Sequence, residues 1–272
     1  MEGKLRTVSF SELGKLGRLG NSLFQVSATW NYGLKHNRIV QLPEWAYFKY
    51  FKFPFRANGD IRVDKNYIEP AFHFNELPEF EEEQVNLSGY FQSYLYSKDI
   101  DLNVLFELKD EWRKSIDELY EKINPKRMHT CSVHVRRGDY LNPGTNEYHG
   151  VLPMQYYDDA AISLYGNRFS GEEKPLFLMF SDDISWCKEN FKHPNIYFSE
   201  VQSMASSKED YDIIDMYLMA KCNDNIIANS SFSYWSALLN KNKNKRVVAP
   251  KNWFSGAKCD TKDLYLPEWI KI

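Results

Sequence analysis

Short apolar runs alternate with stretches of helical spacing along most of the chain. In its first half, strands are predicted at Thr7–Phe10, Arg38–Leu42 and Val85–Gly89, because each is a brief apolar run. A glycine-rich turn follows the first strand and leads into a predicted helix that ends at Lys35, with Asn21 as its candidate N-cap. A strand, a glycine-rich turn and a helix in this order can present backbone N–H groups to an anion, and a simple tight turn is the alternative.

The middle of the chain combines an irregular segment with one strong helical pattern. Residues 44–80 are rich in aromatic residues and proline and show no clear period. Apolar residues then recur at helical spacing from Leu105 to Ile123, so Asn103–Ile123 is predicted to form one amphipathic helix. Pro125 ends this helix, and we expect a domain boundary near it.

The second half alternates strands with helices. Strands are predicted at Thr130–Val135, Leu176–Phe180, Ile196–Phe198, Asn225–Ala228 and Arg246–Ala249. Helices are predicted at Pro153–Tyr165, Ser185–Phe191, Tyr211–Cys222 and in a last segment ending at Leu239, with a polar loop at Leu141–Gly150. This alternation is typical of a parallel sheet flanked by helices.

Polar side chains cluster directly after three of these strands. The clusters are His134/Arg136/Arg137/Asp139, Ser181/Asp182/Asp183 and Asn229/Ser230/Ser231. Open α/β sheets bind ligands outside the carboxyl ends of their strands, so we expect the clusters to converge on a ligand. Adjacent guanidinium groups stay ionised and are placed together when an anion compensates them, although a surface ion pair is the alternative for this motif alone.

The three clusters together suit a nucleotide. The arginines can neutralise phosphate, and Ser230 and Ser231 lie at a predicted helix start, where the helix dipole favours an anion. A carboxylate of Asp182 or Asp183 can accept hydrogen bonds from a ribose or a base edge, and guanine suits it particularly well. Two alternatives remain for the aspartates, namely a metal site, which lacks a third carboxylate nearby, and capping of the next helix.

Composition narrows the class of protein. With 272 residues, 43% of them hydrophobic, and a net charge of -3, the chain has a globular composition. A nucleic-acid-binding protein usually carries a larger positive excess, so we expect no nucleic-acid partner. The four cysteines form no CxxC pair and are expected to be reduced, buried thiols. No signal-like or membrane-spanning apolar segment is evident, so we expect a cytoplasmic protein.

Five segments together resemble one known family. They are GRLGNSLFQ (Gly17–Gln25), GYFQSYLY (Gly89–Tyr96), HVRRGDY (His134–Tyr140), FSDDISWCKENF (Phe180–Phe191) and CNDNIIANSSFSYWSALL (Cys222–Leu239). HxRRxD alone is moderately specific, but followed by SDD and NSSFSxW it is highly specific. The chain therefore resembles the α-1,2-fucosyltransferases of glycosyltransferase family 11 from about residue 7 to 253, and departs from their pattern at Ser22, where glutamine is usual.

The resemblance implies an α/β fold of GT-B-like type, with two Rossmann-like halves whose parallel sheets face a central cleft. Residues 1–125 would form an acceptor-side domain, residues 126–250 would bind the donor, and residues 251–272 would pack back on the N-terminal half. The donor would be GDP-β-L-fucose, and the acceptor the 2-hydroxyl of a terminal β-galactoside. Transfer would invert the anomeric carbon in a single displacement, with neither a metal ion nor a cofactor.

The resemblance also implies roles for the donor-side residues. His134 would lie beside guanine, and Arg136, with Arg137 next to it, would bind the β-phosphate. Asp182 or Asp183 would read guanine.

Two further segments would complete the site by the same resemblance. The turn after the predicted strand Asn225–Ala228 would hold the pyrophosphate through Asn229, Ser230, Ser231 and the amide of Phe232. In the first loop, Gly20 precedes Asn21, which would touch the β-phosphate or the acceptor hydroxyl.

The proton acceptor for this reaction has several candidates. Asp139 is expected to be structural and to pair with Arg137, which leaves Glu147 and His149 as the better bases. A late proton transfer without a dedicated base is the alternative.

Other functions remain open at this point. They are an inverting transferase that uses another GDP-deoxysugar or forms another linkage and, less favoured, a non-catalytic glycan-binding protein. The acceptor glycan, the oligomeric state and a weak contact with a membrane face are not decided by the sequence.

Overall fold

The chain folds into two compact units. The computed structural model describes residues 5–55, 57–166, 174–256 and 259–272. The first unit comprises Met1–Lys109 with Cys259–Leu266, and the second comprises Asp110–Lys258 with Pro267–Ile272. Each unit is built on a parallel sheet with helices, which is the α/β arrangement predicted from the sequence.

The first unit holds a parallel sheet that, among its described residues, has four strands in the order β2-β1-β4-β3. They are β1 (Thr7–Ser9), β2 (Ile39–Gln41), β3 (Lys65–Ile68) and β4 (Gln84–Ser88). Helix α1 (Leu19–Lys35) connects β1 to β2, and short 3₁₀ turns lie at Phe48–Tyr50 and Tyr94–Ser97. The prediction missed β3, because this edge strand is mostly exposed and carries no apolar alternation.

Helix α1 begins earlier than its N-cap candidate. Arg18 occupies the N-cap position, and Asn21 lies inside the first turn of the helix, so the capping prediction was wrong. Gly17 adopts a left-handed conformation with φ +85°, which turns the chain just before the helix. The Asn21 side chain is used elsewhere, as an acceptor for the Gln92 amide.

The predicted helix Asn103–Ile123 is two helices, α2 (Leu102–Leu105) and α3 (Asp110–Ile123). Between them, Leu108 forms an antiparallel bridge with Phe51. The backbone N–H of Lys109 donates to the carbonyl of Tyr50, 2.9 Å away. Backbone groups that would continue a helix are therefore committed to tertiary pairing, which overrides the apolar spacing.

The second unit holds a parallel sheet of six strands among its described residues, in the order β10-β9-β8-β5-β6-β7. They are β5 (Thr130–Val135), β6 (Leu176–Ser181), β7 (Ile196–Phe198), β8 (Asp224–Ile226), β9 (Val247–Ala249) and β10 (Ile270–Lys271). Helices are α4 (Pro143–His149), α5 (Met154–Tyr165), α6 (Ile184–Asn190), α7 (Val201–Met204), α8 (Lys208–Ala220) and α9 (Ser231–Leu238), with a 3₁₀ turn at Gly138–Leu141.

The core of the second unit lies against β5 and β6. Every residue of β5 is buried, and its apolar side chains pack against buried aromatic and alanine residues of α5. The predicted polar loop Leu141–Gly150 contains instead the short helix α4, which starts with Pro143 and buries none of its side chains. Because α4 has no buried face, its hydrophobic pattern carried no signal.

None of the four cysteines forms a disulfide, in line with the expectation of reduced thiols. Cys131, Cys187 and Cys222 are buried, whereas Cys259 is partly exposed, so the expectation of burial was wrong for that residue. No helix in the described ranges combines the length and the apolar character that crossing a membrane requires.

Candidate active site

The carboxyl ends of three adjacent strands bring the predicted polar clusters together. In the sheet, β5 lies between β8 and β6, and all these pairings are parallel. Val135, the last residue of β5, is in register with Ser181, the last residue of β6. The segments that follow β8, β5 and β6 therefore leave the sheet on the same side, at the carboxyl ends of the strands. This is where α/β proteins bind ligands.

Arg136 is held between carboxylates on two sides. Its Nη2 donates to Asp139, and its Nη1 lies 2.9 Å from Asp182 Oδ2. The guanidinium also lies over the Tyr140 ring, 5.2 Å from the centroid, and the side chain is 14% exposed. The guanidinium carries donors on both terminal nitrogens in one plane, so it can pair with both carboxylates in a fixed geometry.

Arg137 is held separately, on the side of α6. Its Nε donates to Asp183 Oδ2 at 3.2 Å, and its guanidinium lies 3.9 Å from the centre of the Trp186 ring. The predicted pairing of Asp139 with Arg137 was therefore wrong, because Asp139 is paired with Arg136 instead. Carboxylates of the chain itself thus compensate the charges of the adjacent arginines.

The adjacent aspartates have different positions. Asp182 Oδ1 accepts from the backbone N–H of Arg137 at 2.9 Å, and a β-carbon added at Gly138 would collide with its other oxygen. Asp183 accepts from the backbone N–H of Trp186 at 3.2 Å, which makes it the N-cap of α6. The capping alternative is thus confirmed for Asp183. Among the described residues, no group of three or more His, Cys, Asp or Glu side chains is arranged to hold a metal ion.

His134 links the end of β5 to the start of α9. Its Nδ1 lies 2.9 Å from the Ser233 hydroxyl, and its ring centre lies 5.6 Å from that of Phe232. The side chain is buried, and this burial, with the nearby charge of Arg136, lowers the pKa of His134 to about 3. The imidazole is therefore neutral at ordinary pH and can exchange hydrogen bonds without carrying a charge.

The segment after β8 supplies a helix start and a structural amide. Ser230 is the N-cap of α9 and is mostly buried, whereas Ser231 and Phe232 are partly exposed in its first turn. Asn229 is buried, and its Nδ2 donates to the carbonyls of His149 and Gly150 at 2.8 and 3.1 Å. The Asn229 amide thus anchors the end of α4 rather than pointing freely at a ligand.

The base candidates lie on α4. His149 stacks on Tyr140 with ring centres 4.7 Å apart, and its buried Nδ1 has no hydrogen-bond partner among the described residues. Burial lowers the pKa of His149, which favours the neutral imidazole, the form that can accept a proton. Glu147 is exposed on the same helix, and its carbonyl accepts from the Ser255 hydroxyl at 3.1 Å.

Gly20 and Asn21 belong to the first unit, whereas the other predicted site residues belong to the second. Gly20 is buried in the first turn of α1, and Asn21 Oδ1 accepts from Gln92 Nε2 at 2.6 Å. Sequence reasoning missed the partners Gln92, Ser233 and Trp186. All three stand inside the motif segments, but nothing in the local sequence indicates which side chain each contacts.

The fold is similar to that of a solved fucosyltransferase. NodZ α-1,6-fucosyltransferase from Bradyrhizobium, in its structure soaked with GDP-fucose, matches 87% of this chain and 93% of its own chain with a TM-score of 0.54. The sequence identity is 16%, so this likeness concerns the fold alone. With the two parallel sheets, it confirms the predicted α/β class of GT-B-like type.

Sequence comparison defines the family. The profile described as glycosyl transferase family 11 matches residues 41–272. The O-antigen biosynthesis glycosyltransferase WbnK of Escherichia coli is 35% identical over 221 residues, which cover 78% of this chain and 70% of the relative. The chain belongs to glycosyl transferase family 11 and is a glycosyltransferase, as its motifs predicted.

Two further relatives have more specific names. An alpha-1,2-colitosyltransferase of Escherichia coli is 28% identical over an alignment of 291 positions, which covers 94% of this chain and 96% of the relative. The galactoside alpha-(1,2)-fucosyltransferase 2 of Bos taurus is 25% identical over 240 residues, covering 84% of this chain and 68% of the relative.

Proposed function

We propose that this chain transfers L-fucose from GDP-β-L-fucose to the 2-hydroxyl of a terminal β-galactoside, with inversion and without a metal ion. The second unit would bind the donor, and the first unit would carry the acceptor side. The observation that carries the proposal is Arg136, a mostly buried guanidinium at the carboxyl end of β5 that is held by Asp139 and Asp182. The names of both relatives support the α-1,2 linkage, and the name of the bovine relative supports fucose as the transferred sugar.

Departure of GDP builds negative charge on the β-phosphate. A guanidinium already held in place stabilises that charge more in the transition state than in the ground state, because no reorganisation is needed as the bond breaks. Asp139 and Asp182 hold Arg136 from two sides, which orients its fork before the donor arrives. The N–H groups at the start of α9 would bind the other phosphate oxygens, through Ser231 and Phe232.

The guanine would lie beside His134. A neutral imidazole packed on Phe232 suits an uncharged base, since it offers a flat apolar face and a ring nitrogen. Asp182 or Asp183 would accept hydrogen bonds from guanine, and each of these carboxylates also pairs with an arginine of the chain. Arg137 would add positive charge at the rim of the same site.

Inversion requires that the acceptor hydroxyl lose a proton as it attacks. His149 is the better base, because burial favours its neutral form and stacking on Tyr140 orients its ring. The exposed Glu147 has no comparable support.

A second donor is favoured by one specific observation. The colitosyltransferase relative covers nearly the whole of this chain and is itself covered almost completely. A GDP-sugar that differs from GDP-fucose only in its sugar would use the same phosphate and guanine contacts. Competition between GDP-fucose and GDP-colitose for the same acceptor would separate the two functions.

The test begins with the donor. We would titrate the purified protein with GDP, GDP-fucose, ADP and UDP in the presence of EDTA, and expect binding of the guanine nucleotides only. Incubation with GDP-fucose and a β-galactoside should then release GDP and give a product whose new linkage, read by NMR, is α-1,2. Binding without base selectivity, binding only with a divalent ion, or the absence of any transferred sugar would contradict the proposal.

A further inference from the structure

A turn in the first unit is held by a carboxylate from the neighbouring strand. Strands β3 and β4 run in parallel, so Glu69, just after β3, lies beside the residues that follow β4. The backbone N–H of Glu69 donates to the Ser88 carbonyl at 2.8 Å. Its carboxylate accepts from the N–H groups of Tyr90 at 2.7 Å and Phe91 at 3.0 Å.

The turn needs this support because its backbone is strained. Gly89 has φ +151° and Phe91 has φ +52°, a left-handed conformation that costs a non-glycine residue about 1–2 kcal/mol. Phe91 is fully buried against the rings of Phe10 and Tyr96, which also fixes its position. A carboxylate that accepts two adjacent N–H groups compensates such a backbone, since both donors would otherwise lack a partner of comparable strength.

This turn also positions the side chain of Asn21, through Gln92. Gln92 directly follows Phe91, is mostly buried, and donates from Nε2 to Asn21 Oδ1 at 2.6 Å. On the other side of Asn21, a β-carbon at Gly17 would collide with Nδ2, so the amide is confined between Gln92 and the Gly17 backbone. With Oδ1 occupied by Gln92, the donors left on the Asn21 amide are those of Nδ2.

We propose that Glu69 is a positioning residue for Asn21, acting through the backbone of the Gly89–Gln92 turn and the Gln92 side chain. The inference rests on the proposed function, in which Asn21 donates to the β-phosphate or to the acceptor hydroxyl. It assigns a role in transfer to a residue outside the motif segments. Loss of the carboxylate frees the turn, and Asn21 then loses its fixed orientation while keeping its chemistry.

The test is a double-mutant cycle of Glu69→Gln and Asn21→Ala, measured as kcat and acceptor KM. Asp64→Asn is the matched control, because Asp64 stands at the opposite end of β3 and its Oδ2 likewise accepts a backbone N–H, that of Gln84 at 3.1 Å. Residues in one hydrogen-bond network show coupling, so Glu69→Gln should lower kcat at least about fivefold in the natural background. In the Asn21→Ala background it should change kcat by less than about twofold.

A second measurement does not depend on activity. Amide hydrogen exchange of the ligand-free protein should become faster at residues 89–92 in Glu69→Gln and stay unchanged there in Asp64→Asn. Glu69→Asp, which shortens the side chain, replaces Glu69→Gln if that variant does not fold, and the same pattern is expected.

The outcomes separate the inference from the proposed function. Unchanged exchange at the turn, or equal effects of Glu69→Gln with and without Asn21, overturns the positioning role. If the natural chain transfers no sugar, the proposed function fails. The positioning role in catalysis falls with it, even where the exchange result still shows that Glu69 holds the turn.

Discussion

Replacement of Arg136 tests the chemistry most directly. Arg136→Ala removes the guanidinium that joins Asp139 to Asp182 and leaves these carboxylates without their shared partner. Arg136→Lys keeps one positive charge but offers a single ammonium in place of the planar fork. The first variant measures the value of the charge, and the second measures the value of its geometry.

The structure sets the expected magnitudes. Loss of one donor that stabilises a developing oxyanion costs about 10²–10³ in kcat, and we expect Arg136→Ala to lose at least that much. The ammonium of Arg136→Lys can reach one carboxylate or the phosphate, but not all of them, so it should recover less than about a tenth of the lost rate. The fold should survive, because both aspartates are partly exposed to water and the stability cost is on the order of 1–2 kcal/mol.

The assay pairs turnover with thermal unfolding. Initial rates of GDP release would be measured at saturating GDP-fucose, together with the unfolding midpoint of each variant. Arg113→Ala is the matched control, because Arg113 also pairs with an aspartate three residues away, Asp110 at 2.8 Å, but on the exposed surface of α3. We expect the control to change kcat by less than about twofold. A folded Arg136→Ala variant with near-natural turnover would refute the assignment of the phosphate site.

Three further predictions address neighbouring features. Gly138→Ala should weaken GDP binding about tenfold in calorimetry, because the added β-carbon displaces the Asp182 carboxylate. Gly144→Ala is the control and should not weaken binding, because the space around Gly144 is open. Asp215 is buried, and burial raises the pKa of its carboxyl from 3.8 to about 7. The folded chain therefore binds the carboxyl proton more tightly than the unfolded chain does. The free energy of unfolding falls as pH rises through that range. Urea midpoints should therefore fall between pH 4 and 7 in the natural chain and fall less in Asp215→Asn. His149→Ala should lower kcat about a hundredfold and Glu147→Ala less than threefold; full rates in both would exclude a base on this helix.

Much of the second unit follows from local sequence. Strands β6 and β9 are short runs of mostly apolar residues. The polar residues at the ends of β5, β6 and β8 meet because neighbouring parallel strands end on the same side of the sheet. Motif order was sufficient to indicate the family, and HxRRxD, SDD and NSSFSxW each lie at the carboxyl end of one of these strands.

Pairings across the sheet depend on the tertiary structure. The sequence by itself determined that adjacent arginines lie near three aspartates, but only the register of β5 and β6 decided that Asp182 binds Arg136 and that Asp183 binds Arg137. Likewise, the apolar spacing of the long predicted helix was real, yet the helix is broken where Leu108 pairs with Phe51. The local hydrophobic pattern of a segment indicates whether it favours helix or strand. The partner of a side chain is set by residues distant in the chain, whose positions are decided only when the sheets assemble.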